Sequence, residues 1–169
     1  MCYYSYMQIE IKPIAQYARY WKINTINLPN NLESAAIYAA KKAIAFKKNM
    51  HNQEIYLTIQ CINARYMQRL NKQYRKKDKP TNVLSFPADA MPEDIECPRV
   101  LGDIFLCNKV IESEANEMCK NFDEHFIHLV AHGTLHLLGY DHETEKDTLI
   151  MQDIEKKLLK NFNIANPYA

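Results

Sequence analysis

With 169 residues, 47% of them apolar and 24% charged, the chain has the size and balance of one globular domain that can bury a core. Its formal net charge of +1 gives no overall field toward nucleic acid or membrane, so any anion binding has to come from a local patch. The cysteines Cys2, Cys61, Cys97, Cys107 and Cys119 are odd in number and contain no C-x-x-C pair, which argues against a disulfide framework and for reduced thiols in the cytoplasm.

From the N-terminus, Met1-Cys-Tyr-Tyr-Ser-Tyr lacks a basic flank followed by an apolar core, so no secretion signal is expected. No apolar run approaches the length of a membrane span. Residues 7–12 and 21–27 both alternate as strands do, without showing which of them pairs into a sheet. An alanine- and lysine-rich helix is expected over about 32–48, with Ala36, Ile37, Ala40, Ile44 and Ala45 as its core stripe. Ile55, Leu57 and Ile59 form a strand, and Asn63 can cap a helix reaching about Tyr74.

A polar, basic loop covers residues 73–82, and Val83–Phe86 is a short strand ended by Pro87. Residues 88–99 read as an exposed, acidic, proline-bearing excursion. Leu101–Cys107 is a buried strand, Asn108 a cap for a helix through about Lys120, and Asp123 the start of a histidine-rich helix. Thr144 and Asp147 approximate a capping box for a last helix over 145–161, with Ile150, Ile154, Leu158 and Leu159 as its core face. One α+β domain over residues 1–169 accounts for all of it: a small, mixed, four-stranded sheet packed with several helices.

The stretch 125–142 holds five of the six histidines and two of the three glycines. His132 and His136, four apart on a helix, stand one above the other on one face. A continuing helix would turn His142 roughly 80° away, so the chain has to leave it; Gly139 is placed to end the helix in the left-handed conformation. Three neutral imidazoles meeting at one point, with a fourth position open, make a typical catalytic zinc site. His125 and His128 fall on the same stripe, and Phe126, Ile127, Val130, Thr134, Leu137 and Leu138 on the opposite arc, as in a buried helix facing a cleft.

The spacing H-x3-H-x2-G-x2-H is that of the metal-binding half of the metzincin proteases, on a zincin-like metal helix. There the residue after the first histidine is a glutamate general base, and here it is Gly133. Peptide hydrolysis loses its base, whereas a metal can still lower the pKa of bound water to about 7 and polarise a phosphoryl oxygen. A second cluster, Lys72, Arg75, Lys76, Lys77 and Lys79, supplies cations around Tyr74, and Arg75 suits a phosphate as a planar, two-pronged donor.

The block His132-Gly-Thr-Leu-His-Leu-Leu-Gly-Tyr-Asp-His142, with Tyr74-Arg-Lys-Lys-Asp-Lys-Pro-Thr-Asn-Val-Leu-Ser-Phe-Pro87 and Leu101-Gly-Asp-Ile104, resembles the YbeY family of bacterial rRNA maturation factors. The resemblance runs from about residue 54 to the end. It implies a metal-dependent, single-strand-specific endoribonuclease acting in 16S rRNA 3′-end maturation, small-subunit assembly and ribosome quality control. It also implies one Zn2+ per chain on His132, His136 and His142, an essential arginine at Arg75, and a contact to a small-subunit ribosomal protein through Asp103. His128 and Asp141 are candidates for supporting the ligands or carrying protons. The partners expected are single-stranded RNA, the 16S precursor and the small subunit, with no DNA and no membrane. The competing readings are a non-catalytic assembly factor whose zinc only fastens the 139–142 loop, with Cys97, Cys107 or Cys119 as a fourth ligand, and a metalloprotease.

Overall fold

The structure, a computed structural model, describes residues 21–26, 29, 31–47, 55–89 and 99–168. The strand expected over 7–12 and most of the acidic excursion lie outside the described residues.

Of the two N-terminal alternating segments, the second is strand β1 (Trp21–Ile26). Helix α1 (Glu33–Ala45) follows, then β2 (Ile55–Cys61), α2 (Ala64–Arg75), β3 (Val83–Pro87), β4 (Arg99–Leu106), α3 (Asn108–Glu117), α4 (Phe122–Leu137) and α5 (Glu145–Lys160). The four strands form one mixed sheet in the order β1-β2-β4-β3. β1 and β4 run parallel to β2, and β3 runs antiparallel to β4.

Strict alternation gives β2 one fully inward set, Ile55, Leu57, Ile59 and Cys61. That set faces the larger core, built with α1, α4 and α5. In α1, Ala36, Ala39, Ala40 and Ala43 are fully buried; side chains this small let α1 lie close against α4. Phe126, Val130 and Leu135 of α4 are also fully buried, each worth roughly 1.5–3 kcal/mol for a side chain of that size. A smaller core of Met67, Leu84 and Cys107 joins α2 to the other face of the sheet.

The edge strand β3 is gripped from both sides. Leu84 and Phe86 pack toward α2, while the Ser85 hydroxyl, on the alternate face, donates to the Gly133 carbonyl of α4 at 3.1 Å. Beside it, β4 shifts register against β2 between Tyr56 and Leu57, leaving Leu101 without a partner there. Gly102 has φ +131°, and a Cβ on it would lie 2.1 Å from the Phe86 carbonyl oxygen, so only glycine fits where β3 and β4 meet.

Several expectations need correction. Ala45, at the end of α1, is exposed and takes no part in the core stripe. Asn108 does not cap α3, which ends at Glu117 rather than near Lys120. Cys107 occupies the cap position because its N–H is still bonded to the Asn82 carbonyl while its own carbonyl accepts from Val110 and Ile111. Nor is the core face of α5 the one drawn through Ile150, which is 43% exposed. The buried positions are Met151, Glu155, Leu158 and Leu159, with Ile154 at the margin.

Candidate metal centre

The site depends on how α4 starts and stops. Asn121 caps it, its side chain accepting from the N–H groups of Asp123 and Glu124, so the helix opens one residue before the expected Asp123. At the other end Gly139 takes φ +84°. Its N–H donates to the His136 carbonyl and that of Tyr140 to the Leu135 carbonyl, the paired bonds of a Schellman ending. Nothing lies within 4 Å of where a Gly139 Cβ would be, so glycine is needed there for its backbone angle alone.

The chain then folds back. Asp141 accepts from the His142 N–H at 2.8 Å, and the Thr148 hydroxyl of α5 donates to the His142 carbonyl at 3.2 Å. Lys47, just past α1, donates to the Leu138 carbonyl at 2.7 Å and lies over the Tyr140 ring.

These bonds bring three imidazoles together. One ligand nitrogen from each of His132, His136 and His142 lies within 4.8 Å of the others. The Nε2 atoms of His132 and His136 are 3.1 Å apart. Two nitrogens bound to a tetrahedral zinc at its usual bond length sit about 3.3 Å apart, so the donor set fits that ion. His132 and His136 are half-buried and His142 is exposed, which leaves the outer side of the cluster open. Burial, and then the neighbouring His132 and His142 rings, push His136 down to about 4, so it keeps a free lone pair at neutral pH.

Behind His132 stands a residue that sequence reasoning missed. Glu155 of α5 is 1% exposed, and its Oε1 accepts from His132 Nδ1 at 2.7 Å. Its Oε2 accepts from the Tyr168 hydroxyl. Burial alone would raise the Glu155 carboxyl, but the nearby His128 ring and the donors on His132 and Tyr168 outweigh it and hold the group at about 2. Burial and the adjacent carboxylate push the Tyr168 hydroxyl up, so it remains a donor. The signal in the sequence was a glutamate at a position flanked by Met151, Leu158 and Leu159 at helical spacing, where a charge is buried only with partners.

The histidine stripe divides by role. His125 is buried and bonded to Glu114 at 2.8 Å, joining α4 to α3 away from the cluster. His128 is half-buried, with Nε2 3.8 Å from Glu155 Oε1, too long for a hydrogen bond. Asp141 Oδ1 lies 3.9 Å from His136 Nδ1, at the rim. Gly133 does not face the cluster. A Cβ there would come 2.9 Å from the Ser85 hydroxyl and 3.1 Å from Ile104, so the position that carries a base in metalloproteases is spent here on close packing against β3 and β4.

The basic cluster stands at the end of α2, which closes on Lys76 in the left-handed conformation. Lys72 pairs with Asp78 at 2.5 Å, and Lys76 donates to the Gln73 carbonyl. Arg75, Lys77 and Lys79 are exposed, and their side chains make no hydrogen bond or ion pair among the described residues. Tyr74, also exposed, lies edge-on to Phe86 with ring centroids 4.8 Å apart. Asp103 is exposed on β4. Cys107 is buried in the smaller core and Cys119 is exposed; neither joins the histidines, and Cys97 is outside the described residues. Among the described residues no helix is long and apolar enough to cross a membrane.

Residues 22–163 match the family model described as endoribonuclease YbeY. A protein of that name from Colwellia psychrerythraea is 48% identical over 126 residues, covering 75% of this chain and 80% of the relative. Its namesake from Pseudoalteromonas translucida is 45% identical over 141 residues, covering 82% and 89%. That from Stenotrophomonas maltophilia is 39% identical over 155 residues, covering 83% and 96%. A solution structure of a Thermotoga maritima protein aligns over 83% of this chain and 91% of its own, with a TM-score of 0.50 and 25% identity.

Proposed function

This chain belongs to the endoribonuclease YbeY family, and from that premise we propose that it cleaves single-stranded RNA with one Zn2+ held by His132, His136 and His142. The observation that carries the reading is the open cluster: three imidazole donors and, among the described residues, no cysteine or carboxylate closing a fourth position. Structural zinc sites are closed by four protein ligands, and Cys107 and Cys119, two of the cysteines that the non-catalytic alternative would recruit, stand away from the histidines.

Bound there, the ion supplies a Lewis acid and a source of nucleophile at neutral pH. The protein's residues do the rest. His136 stays unprotonated, and Glu155 accepts the Nδ1 proton of His132, leaving its Nε2 facing the cluster. Arg75 takes the non-bridging phosphate oxygens of the scissile link as a bidentate donor and offsets charge that builds on them during in-line attack. Lys77 and Lys79, with Lys72 and Lys76 beside them, hold flanking phosphates of the strand. His128 supports the ligands from behind and Asp141 from the rim. The substrate is the 16S rRNA precursor at its 3′ end, within small-subunit assembly and ribosome quality control in the cytoplasm, with Asp103 toward a ribosomal protein. Residues 1–169 act as one catalytic domain.

The test is 16S rRNA 3′-end mapping in cells depleted of the protein and rescued with wild type, His136→Ala or Arg75→Glu. Wild type restores the mature end and both variants leave the extended precursor. Full rescue by both variants would sink the proposed site.

A further inference from the structure

Glu155 and Tyr168 stand outside the ligand set, yet their placement is tied to it. Glu155 is fully enclosed, and both of its oxygens are used on the side of His132 away from the other two imidazoles: Oε1 on His132 Nδ1, Oε2 on the Tyr168 hydroxyl. Tyr168 reaches this point after the chain leaves α5 and turns back; its ring lies edge-on to His128, with centroids 6.0 Å apart. His128 in turn stands edge-on to His132, at 6.3 Å. The carboxylate is thus enclosed by two imidazoles and a phenol. A buried carboxylate that accepts one ring proton of a ligand histidine fixes which nitrogen keeps its lone pair and in which direction it points.

We infer that Glu155 and Tyr168 are positioning residues for the centre: Glu155 sets the tautomer and orientation of His132, and Tyr168 holds Glu155 in place, so that the segment after α5 is a working part of the site. This rests on the reading of His132 as a ligand. Neither residue touches substrate. Tyr168 acts one step further out, so its loss costs less than that of Glu155.

The experiment uses the full chain with Glu155→Gln, Tyr168→Phe and His132→Ala. Zn2+ affinity is measured by competition with a chromophoric chelator, and the His132 ring nitrogens are followed by 15N NMR before Zn2+ is added. Glu155→Gln should weaken Zn2+ binding about 10- to 100-fold, the usual loss for a residue holding a ligand histidine. It should also weaken the hold on the Nδ1-protonated tautomer of His132, because a neutral amide oxygen accepts less strongly than a carboxylate. Tyr168→Phe should weaken binding several-fold and shift the same signals in the same direction. A merely structural role would lower the melting temperature and leave the tautomer alone. Should Glu155→Gln fail to fold, Tyr168→Phe carries the test, because it removes a single hydroxyl from an exposed residue. If His132→Ala loses Zn2+ while both other variants bind it as wild type does, with the tautomer unchanged, the inference is wrong and the metal site stands. If wild type and His132→Ala take up Zn2+ equally, the ligand assignment fails and the inference falls with it.

Discussion

The imidazole of His132 has a buried carboxylate behind it, and that carboxylate has a phenol behind it; the guanidinium of Arg75 has neither. The first arrangement spends the fold's own hydrogen bonds on fixing a donor before any ligand arrives. The second leaves Arg75, Lys77 and Lys79 in solvent, free for the phosphates that the proposed function assigns to them. Enclosed contacts are little screened and depend on geometry, whereas exposed charges are screened within about 10 Å at 0.1 M salt. On the proposed reading, a rigid chemical centre is thus kept apart from an adaptable handle for a flexible polyanion.

Variants can break that division, and the largest effect should come from the rigid side. His136→Ala should abolish stoichiometric zinc and lower single-turnover cleavage of single-stranded RNA by at least about 10³-fold, an activation cost of roughly 4 kcal/mol. Its RNA affinity, read by fluorescence anisotropy, should stay within about twofold. A matching loss of RNA affinity would mean that the two regions are not separable. Arg75→Glu should do the opposite to the zinc, leaving it intact by elemental analysis, while cleavage falls about 10²-fold. The slope of log affinity against log salt should shrink by about 0.7 for each phosphate that is no longer neutralised.

Acid should act chiefly on the enclosed region, where the shifts are largest. In zinc-free protein, folded His136 takes up a proton only near pH 4, whereas an unfolded histidine does so near 6.5. Between those values the unfolded state binds more protons, so stability is full above pH 6.5 and declines as pH falls toward 4. The shift alone gives roughly 3.4 kcal/mol, which solvent screening of the half-buried ring reduces to about 2 kcal/mol. Glu155, with its folded value near 2 against an ordinary 4.5, extends the decline in the same direction over the lower window. Urea unfolding in chelator at pH 7, 5 and 4 measures this, and His136→Ala should flatten the first step while Arg75→Glu leaves it untouched. The smallest effect belongs to Gly139→Ala, about 1 kcal/mol of stability, since the cost is backbone strain with no steric contact. Gly139→Asn should cost less, because asparagine tolerates the left-handed region.

The two regions were also unequally legible in the sequence. His132, His136, Gly139 and His142 could be read because helix period and helix ending are local rules, and the Schellman bonds obey them. Asn63 and Thr144 cap as expected for the same reason. Glu155 was missed because a core face was drawn through apolar residues, and Ile150 pulled it round the helix. What holds the carboxylate inside is tertiary: His132 is 23 residues away and Tyr168 is 13. Asn108 looked like a cap, but a sheet bond from Cys107 to Asn82 decides where α3 begins. For the basic turn, no spacing could show that α2 and α4 grip opposite faces of β3.

The bond from Lys47 to the Leu138 carbonyl has a kinetic consequence. It joins residues 91 apart, and the length-dependent entropy of closing such a loop is on the order of 4 kcal/mol. Together with the packing of α1 on α4, which closes the same span, this bond is expected to form late in folding, with the end of α4 locking after the sheet. On the proposed reading, zinc would then bind a product of folding and leave its transition state unchanged. Stopped-flow chevrons with and without zinc should share one refolding limb and differ in the unfolding limb, which the ion slows.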